Sequence, residues 1–190
     1  MNSKPSSNAD FVVALCSADR TTREGAAREL YRRGHEMAES AIAKWRADPE
    51  ISGIVSNRAT VGIAVTPEHF SAIRSALGNP QLAQVPPEQD AQEFEWNAGR
   101  GAHLDILTTR EPNGTGAIAR FLGKMGEGIQ QVEFFTSDVD RATELIRARA
   151  GVAPIYPATR PGADGTRVNF FLTSVPDGKK ILIELVEAPK

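Results

Sequence analysis

One order of elements occurs twice in this chain, and that repeat constrains the fold more than any other feature. Residues 60–65 (TVGIAV) read as a strand, Thr66 can cap a helix, an amphipathic pattern runs from 67 to 77, and Gly78 ends it. Residues 131–135 (QVEFF) begin a second copy by alternating polar and apolar. Ser137 or Asp138 can cap its helix, whose apolar residues Val139, Ala142, Leu145, Ile146 and Ala150 recur at helical spacing before Gly151. Three more strands are expected after each helix. In the first copy they are 82–85, 91–96 and 103–108; in the second, 154–156, 167–172 and 180–186, the last two joined at Pro176-Asp177-Gly178. The fold class is therefore α+β, built from two βαβββ modules. Module one takes residues 58–110 and module two 126–190; a helix at 114–125, with Ile118, Phe121 and Leu122, links them in a domain spanning 52–190.

Residues 1–9 are polar, with serine and proline, and are expected to be a disordered tail. Residues 10–50 are expected to form a helical arm of two helices. Ala26, Ala27, Leu30 and Tyr31 make one apolar stripe, Gly34 is the expected break, and Ala38, Ala41, Ile42 and Trp45 make the second stripe. A single helical pair cannot bury its own apolar faces, so the arm packs on the domain, on a second subunit or on a partner protein.

Composition narrows the function. A net charge of -2 and a pI near 6.0 give no nucleic-acid footprint. The single Cys16 excludes an internal disulfide and suits a reducing cytoplasm. No apolar run approaches the roughly 20 residues of a membrane helix, and the N-terminal stretch lacks the apolar core of a signal peptide. The expected partner is a small molecule, with neither nucleic acid nor membrane involved.

Strand alternation selects the side chains that look away from the packed helices. With Val61, Ile63 and Val65 on the core, Thr60 faces out; with Leu104 and Ile106 on the core, so do His103 and Asp105. The same rule sends Gln131 and Glu133 outward in module two, and Glu184 on the last strand, where Ile181, Ile183 and Leu185 take the opposite side. Glu93 and Glu95 share a side of their strand. Without a cation, Glu93, Asp105, Glu133 and Glu184 would crowd one site, so at least one should titrate high or pair with Arg167 or Arg100.

The stretches GEGIQQVEFF, RPGADGTRVNFF and ILIELVE resemble the second half of methylmalonyl-CoA epimerases, in the vicinal-oxygen-chelate (glyoxalase-like) superfamily. The resemblance implies paired modules that close their sheets around a cleft, and an isomerase or lyase that works, as a homodimer, on a carbonyl or acyl-thioester compound. It also implies a metal site at Thr60, Asp105, Gln131 and Glu184. The family's first-strand histidine is here Thr60, and its His-His pair is Gln130-Gln131. In the family two glutamates flank an acidic carbon, and the matching catalytic positions are Glu93, after Pro87-Glu88-Gln89, and Glu184. Thr60, Gln131, His103 and Arg167 are the matching ligand-binding candidates. Replacing both imidazoles by oxygen donors leaves three readings: a site for Mg, Mn or Ca; a metal-free, non-catalytic binding pocket; or enolisation with the oxyanion held by Gln131, Thr60 or His103.

Overall fold

The computed structural model describes residues 7–189. In chain order the helices and strands are α1 (Asn8–Leu15), α2 (Arg20–Ala41), α3 (Ala43–Ala47), α4 (Pro49–Ser52), β1 (Val55–Ala64), α5 (Pro67–Ala76), β2 (Ala91–Asn97), β3 (His103–Thr109), α6 (Ala117–Met125), β4 (Gly128–Thr136), α7 (Val139–Leu145), β5 (Arg160–Pro161), β6 (Arg167–Ser174) and β7 (Lys180–Glu187). No helix among the described residues is long and apolar enough to cross a membrane. The class is α+β, with the helical segment first. Contacts group the chain into two compact units: residues to Arg33 with Val61–Gln130, and Gly34–Thr60 with residues from Gln131 onward.

Two local expectations for the N-terminal segment change. Of the expected tail, residues 1–6 lie outside the described residues, while Asn8 and Ala9 are helical, because the Ser7 hydroxyl accepts from the Asp10 amide (3.2 Å) and the Asp10 carboxylate accepts from the Ser7 amide (2.7 Å). Gly34 does not break a helix; α2 runs through it for 22 residues. A helical glycine costs about 1 kcal/mol relative to alanine. Burial of Ala26, Ala27 and Leu30 on one face offsets that cost in the first part of α2, along with ion pairs of Glu24 with Arg28 and of Glu29 with Arg33 on the other.

In the first unit the strand order is β2-β3-β1, with β2 antiparallel and β1 parallel to β3. Val61, Ile63, Phe94, Leu104 and Ile106 share the apolar side, where Phe70 of α5 meets Phe94 edge-on at 5.1 Å. Glu127 closes the start of α5, accepting from the Thr66 amide (2.7 Å) and lying 2.8 Å from His69 Nδ1. The expected strand at 82–85 is absent. Pro80, Pro86 and Pro87 surround it, and the Ala83 amide reaches a strand by donating to the Glu93 carbonyl (3.0 Å).

In the second unit the order is β4-β7-β6-β5, with β4 parallel to β7 and the other pairs antiparallel. The expected strand at 154–156 is a bend held by the Ile155 amide on the Phe170 carbonyl (2.7 Å), and the edge strand is β5 instead. Asp138 caps α7 by accepting from the Arg141 amide (2.9 Å), and the helix widens into a π-type turn at Ile146–Ala150 before Gly151. The end of the expected arm packs on this unit's own helix side. Trp45, 2% exposed, meets Phe171 edge-on at 5.3 Å, and the Arg46 guanidinium lies 4.8 Å from the Phe134 ring centre. Asp48 caps α4 with one carboxylate oxygen and accepts from Arg149 Nε (2.6 Å) with the other.

Candidate functional site

The second unit gathers the polar residues that look away from its helices. Gln131 and Glu133 on β4 stand beside Leu182 and Glu184 on β7, and Glu184 is opposite Phe170 on β6. Gln131, Glu133 and Glu184 are each only 8% exposed. The Gln131 side-chain nitrogen donates to a Glu184 carboxylate oxygen at 2.6 Å and to a Glu133 carboxylate oxygen at 3.1 Å. An ionised carboxylate only accepts, so the amide must present its NH₂ end here. Desolvating two carboxylates costs several kcal/mol unless hydrogen bonds compensate, which is the service this amide performs. Around the three polar groups the same sheet side carries Phe135, Phe170, Leu172 and Leu182; Phe135 and Leu172 remain exposed. Beyond Phe135 a shallow depression of about 420 Å³ is lined by residues 52–57 and 135–137. Its lining stops short of Glu133.

Other candidates belong to other strands. In the first unit Asp105, 5% exposed, stands opposite Gly62 on β1 and Glu95 on β2, while Glu93 is opposite Leu107 and His103 opposite Asn97. Glu93, Glu95, Asn97, His103 and Asp105 share the side of β2 and β3 opposite Phe94, Leu104 and Ile106. Thr60 is buried on β1. Arg167 does not join Glu184. It lies on the helix side of β6 with Asn169 and Phe171, donating to Asp140, Thr159 (3.1 Å) and Glu187 (3.0 Å). Hydrogen bonding to Asp140 holds its guanidinium even higher than usual. Glu187, 3% exposed, uses the same oxygen to accept from the Val139 amide at the start of α7 (2.9 Å). Glu187 is absent from the sequence expectations; its signal is a carboxylate three residues after Glu184 in an apolar strand. Arg100, the other countercharge candidate, is exposed in a turn with φ of +53°.

The donor set fits a metal poorly. It offers an amide and two carboxylates without an imidazole, and the amide turns its hydrogens, not its oxygen, toward the carboxylates. Among the described residues no group of three or more His, Cys, Asp or Glu is placed to hold a cation.

No protein-family profile matches the chain, and no curated protein sequence does. Solved structures do. Methylmalonyl-CoA epimerase from Mycobacterium tuberculosis is 30% identical over 72% of this chain and 89% of its own, with a TM-score of 0.54. A Streptomyces coelicolor methylmalonyl-CoA epimerase variant in complex with 2-nitronate-propionyl-CoA is 26% identical over 69% and 96% of the two chains, with a TM-score of 0.53. A methylmalonyl-CoA epimerase in complex with methylmalonyl-CoA and NH4+ is 29% identical over 68% and 92%, with a TM-score of 0.52. With its repeated modules, its closing strand and this likeness, the chain belongs to the vicinal-oxygen-chelate superfamily, among the relatives of the methylmalonyl-CoA epimerases.

Proposed function

We propose that the chain binds an acyl thioester on the sheet face that carries Gln131, Glu133 and Glu184, and that Glu184 moves a proton at the carbon beside the thioester carbonyl. One observation carries this reading: two buried carboxylates are retained on an otherwise apolar face and held by one amide. A carboxylate in an apolar, hydrogen-bonded setting is a suitable base for a carbon acid. Gln131 fixes the orientation of Glu184, and its N–H groups are donors of the kind that stabilise an enolate oxygen. Glu93 is proposed as the second proton-transfer group on the family pattern alone, with Thr60 and His103 as further ligand contacts. The reaction class would be an epimerisation or other isomerisation, or a lyase step that begins with the same enolate, in a cytoplasmic homodimer.

Deuterium uptake at the α-carbon of methylmalonyl-CoA and propionyl-CoA in D₂O, followed by mass spectrometry, tests this. Uptake that is lost in Glu184→Gln supports the enzyme. The metal-free, non-catalytic binding protein is the second reading, favoured by the orientation of the Gln131 amide. It predicts saturable binding of the same thioesters with no deuterium uptake.

A further inference from the structure

The depression beyond Phe135 takes no part in the chemistry proposed for Glu184. It holds about 420 Å³, in the lower part of the range of small-molecule sites. Groups outside its lining hold its walls in place. Arg46 donates to the Val55 carbonyl (3.2 Å) and the Ser56 carbonyl (3.1 Å), and Glu39 balances its charge at 2.8 Å. Asp48 caps α4, which ends at Ser52. A Cβ at position 53 would lie 3.0 Å from the Pro49 carbonyl oxygen, so Gly53 lets the following turn close. On the other wall the Thr136 hydroxyl accepts from the Asp138 amide (3.3 Å). The side chains of Ser52, Asn57 and Ser137 differ: among the described residues they make no hydrogen bond.

This lining selects a ligand chemistry by elimination. It contains no charged residue; Arg58 and Asp138, next in sequence, lie outside it. A phosphate, carboxylate or ammonium would give up hydration there without gaining a countercharge. A wholly apolar molecule would gain little, because the depression is shallow and its walls carry three serines, a threonine and an asparagine. What remains is a molecule both polar and neutral. A serine hydroxyl and an asparagine amide each donate and accept, as an alcohol does. Phe135, 38% exposed, adds a flat apolar face. A ring with hydroxyls on its edge and C–H groups on its face answers both.

We infer that this depression binds a neutral, hydroxyl-rich ring of monosaccharide size, seated on Phe135 and hydrogen-bonded by Ser52, Asn57 and Ser137. The inference stands apart from the thioester reading. Amide chemical shifts of the full chain, followed by NMR during titration with D-glucose and with D-ribose, test it. Glucose 6-phosphate and cyclohexanol are the charged and the apolar comparison.

At least one of the two sugars should shift the Gly53, Ser56 and Ser137 amides saturably, in the millimolar range. Both comparison compounds should bind less well. Phe135→Ala should weaken the sugar about tenfold, and Asn57→Ala about threefold or more. Leu172→Ala, at an exposed apolar position outside the lining, should leave it unchanged. Thermal midpoints verify folding; if Phe135→Ala fails to fold, Asn57→Ala and Ser137→Ala decide. No saturable shift with either sugar, or unchanged affinity in the folded lining variants, overturns the site. Tighter binding of the phosphate or of cyclohexanol overturns its chemistry. An equal loss in Leu172→Ala overturns its location, because the sugar would then lie on the open sheet face.

Discussion

The side-chain nitrogen of Gln131 lies 2.6 Å from a carboxylate oxygen of Glu184, joining adjacent parallel strands through their side chains, with Glu133 3.1 Å from the same nitrogen. The amide is a donor placed between two acceptors that share a buried sheet face. Removing it as Gln131→Leu should cost about 1–3 kcal/mol, the usual range when buried polar groups lose a partner. Urea unfolding at neutral pH measures the loss. The double variant Gln131→Leu, Glu184→Leu should recover part of it, since replacing a buried polar pair is less harmful than orphaning half of it. A single variant as stable as the original protein would show that the amide is not what holds the carboxylates.

The same geometry predicts the response to divalent ions. Mg, Mn and Ca should leave the thermal midpoint unchanged, because the Gln131 hydrogens point where a cation would sit. Gln131→His exchanges that donor for an imidazole beside two carboxylates, and Ni or Zn should then raise the midpoint. Stoichiometric metal in the unaltered protein by elemental analysis, with stabilisation lost in Glu184→Ala, would mean that the amide turns its oxygen inward.

Trp45 anchors α3 on the second unit, with 2% of its surface exposed and its ring edge-on to Phe171. Trp45→Ala should destabilise by about 3–5 kcal/mol. Denaturant midpoints compared with Val13→Ala, an exposed α1 position, will show whether the loss is specific to this contact.

Glu29 supplies an acid-sensitive contribution. Hydrogen bonds from Arg32 and then Arg33 lower its pKa from 4.5 to about 2. A depressed carboxylate stabilises the folded state above its unfolded pKa, and this contribution disappears as pH falls from about 4.5 toward 2. Glu29→Gln should flatten the fall in thermal midpoint across that interval and lower stability slightly at neutral pH, the effect being small for so exposed a group. A parallel pH profile in the variant would show that the arginines contribute nothing measurable.

Gly162 allows β5 and β6 to close. A Cβ there would lie 2.7 Å from a Val168 methyl and would also meet the Thr166 hydroxyl, in a hairpin tied by the Gly162 amide to the Thr166 carbonyl (2.9 Å). Gly162→Ala should cost about 1–3 kcal/mol through overpacking. Faster hydrogen exchange at the Gly162 and Val168 amides, with β4 unaffected, is the expected pattern.

Repetition and alternation made much of this molecule legible. The caps at Thr66 and Asp138, the terminating glycines at 78 and 151, and the long strands were readable because caps, turns and side-chain direction are local properties of the backbone. The short strands were not. Residues 82–85 and 154–156 have strand-like composition, but isolated bonds such as those of the Ala83 and Ile155 amides do not make a ladder, and pairing is not a local property. The side of the sheet taken by Arg167 was not legible, because the adjacent Phe170 and Phe171 give an ambiguous alternation. Packing of Phe171 on Trp45 puts Arg167 on the helix side. Arg160 lies outside every strand expected from the sequence, and only the pairing of β5 with β6 gives it a register.

By itself the sequence determined the repeated modules and the common side of Gln131 and Glu133, with Glu184 directed by the same rule on its own strand. A strand's successive side chains must point in opposite directions. Only the tertiary structure decided that Glu184 comes to rest opposite Glu133, that one amide serves both, and that Arg160 shares their face while Arg167 does not. Those relationships depend on which strands pair and in what register, and both are settled by contacts between residues far apart in the chain.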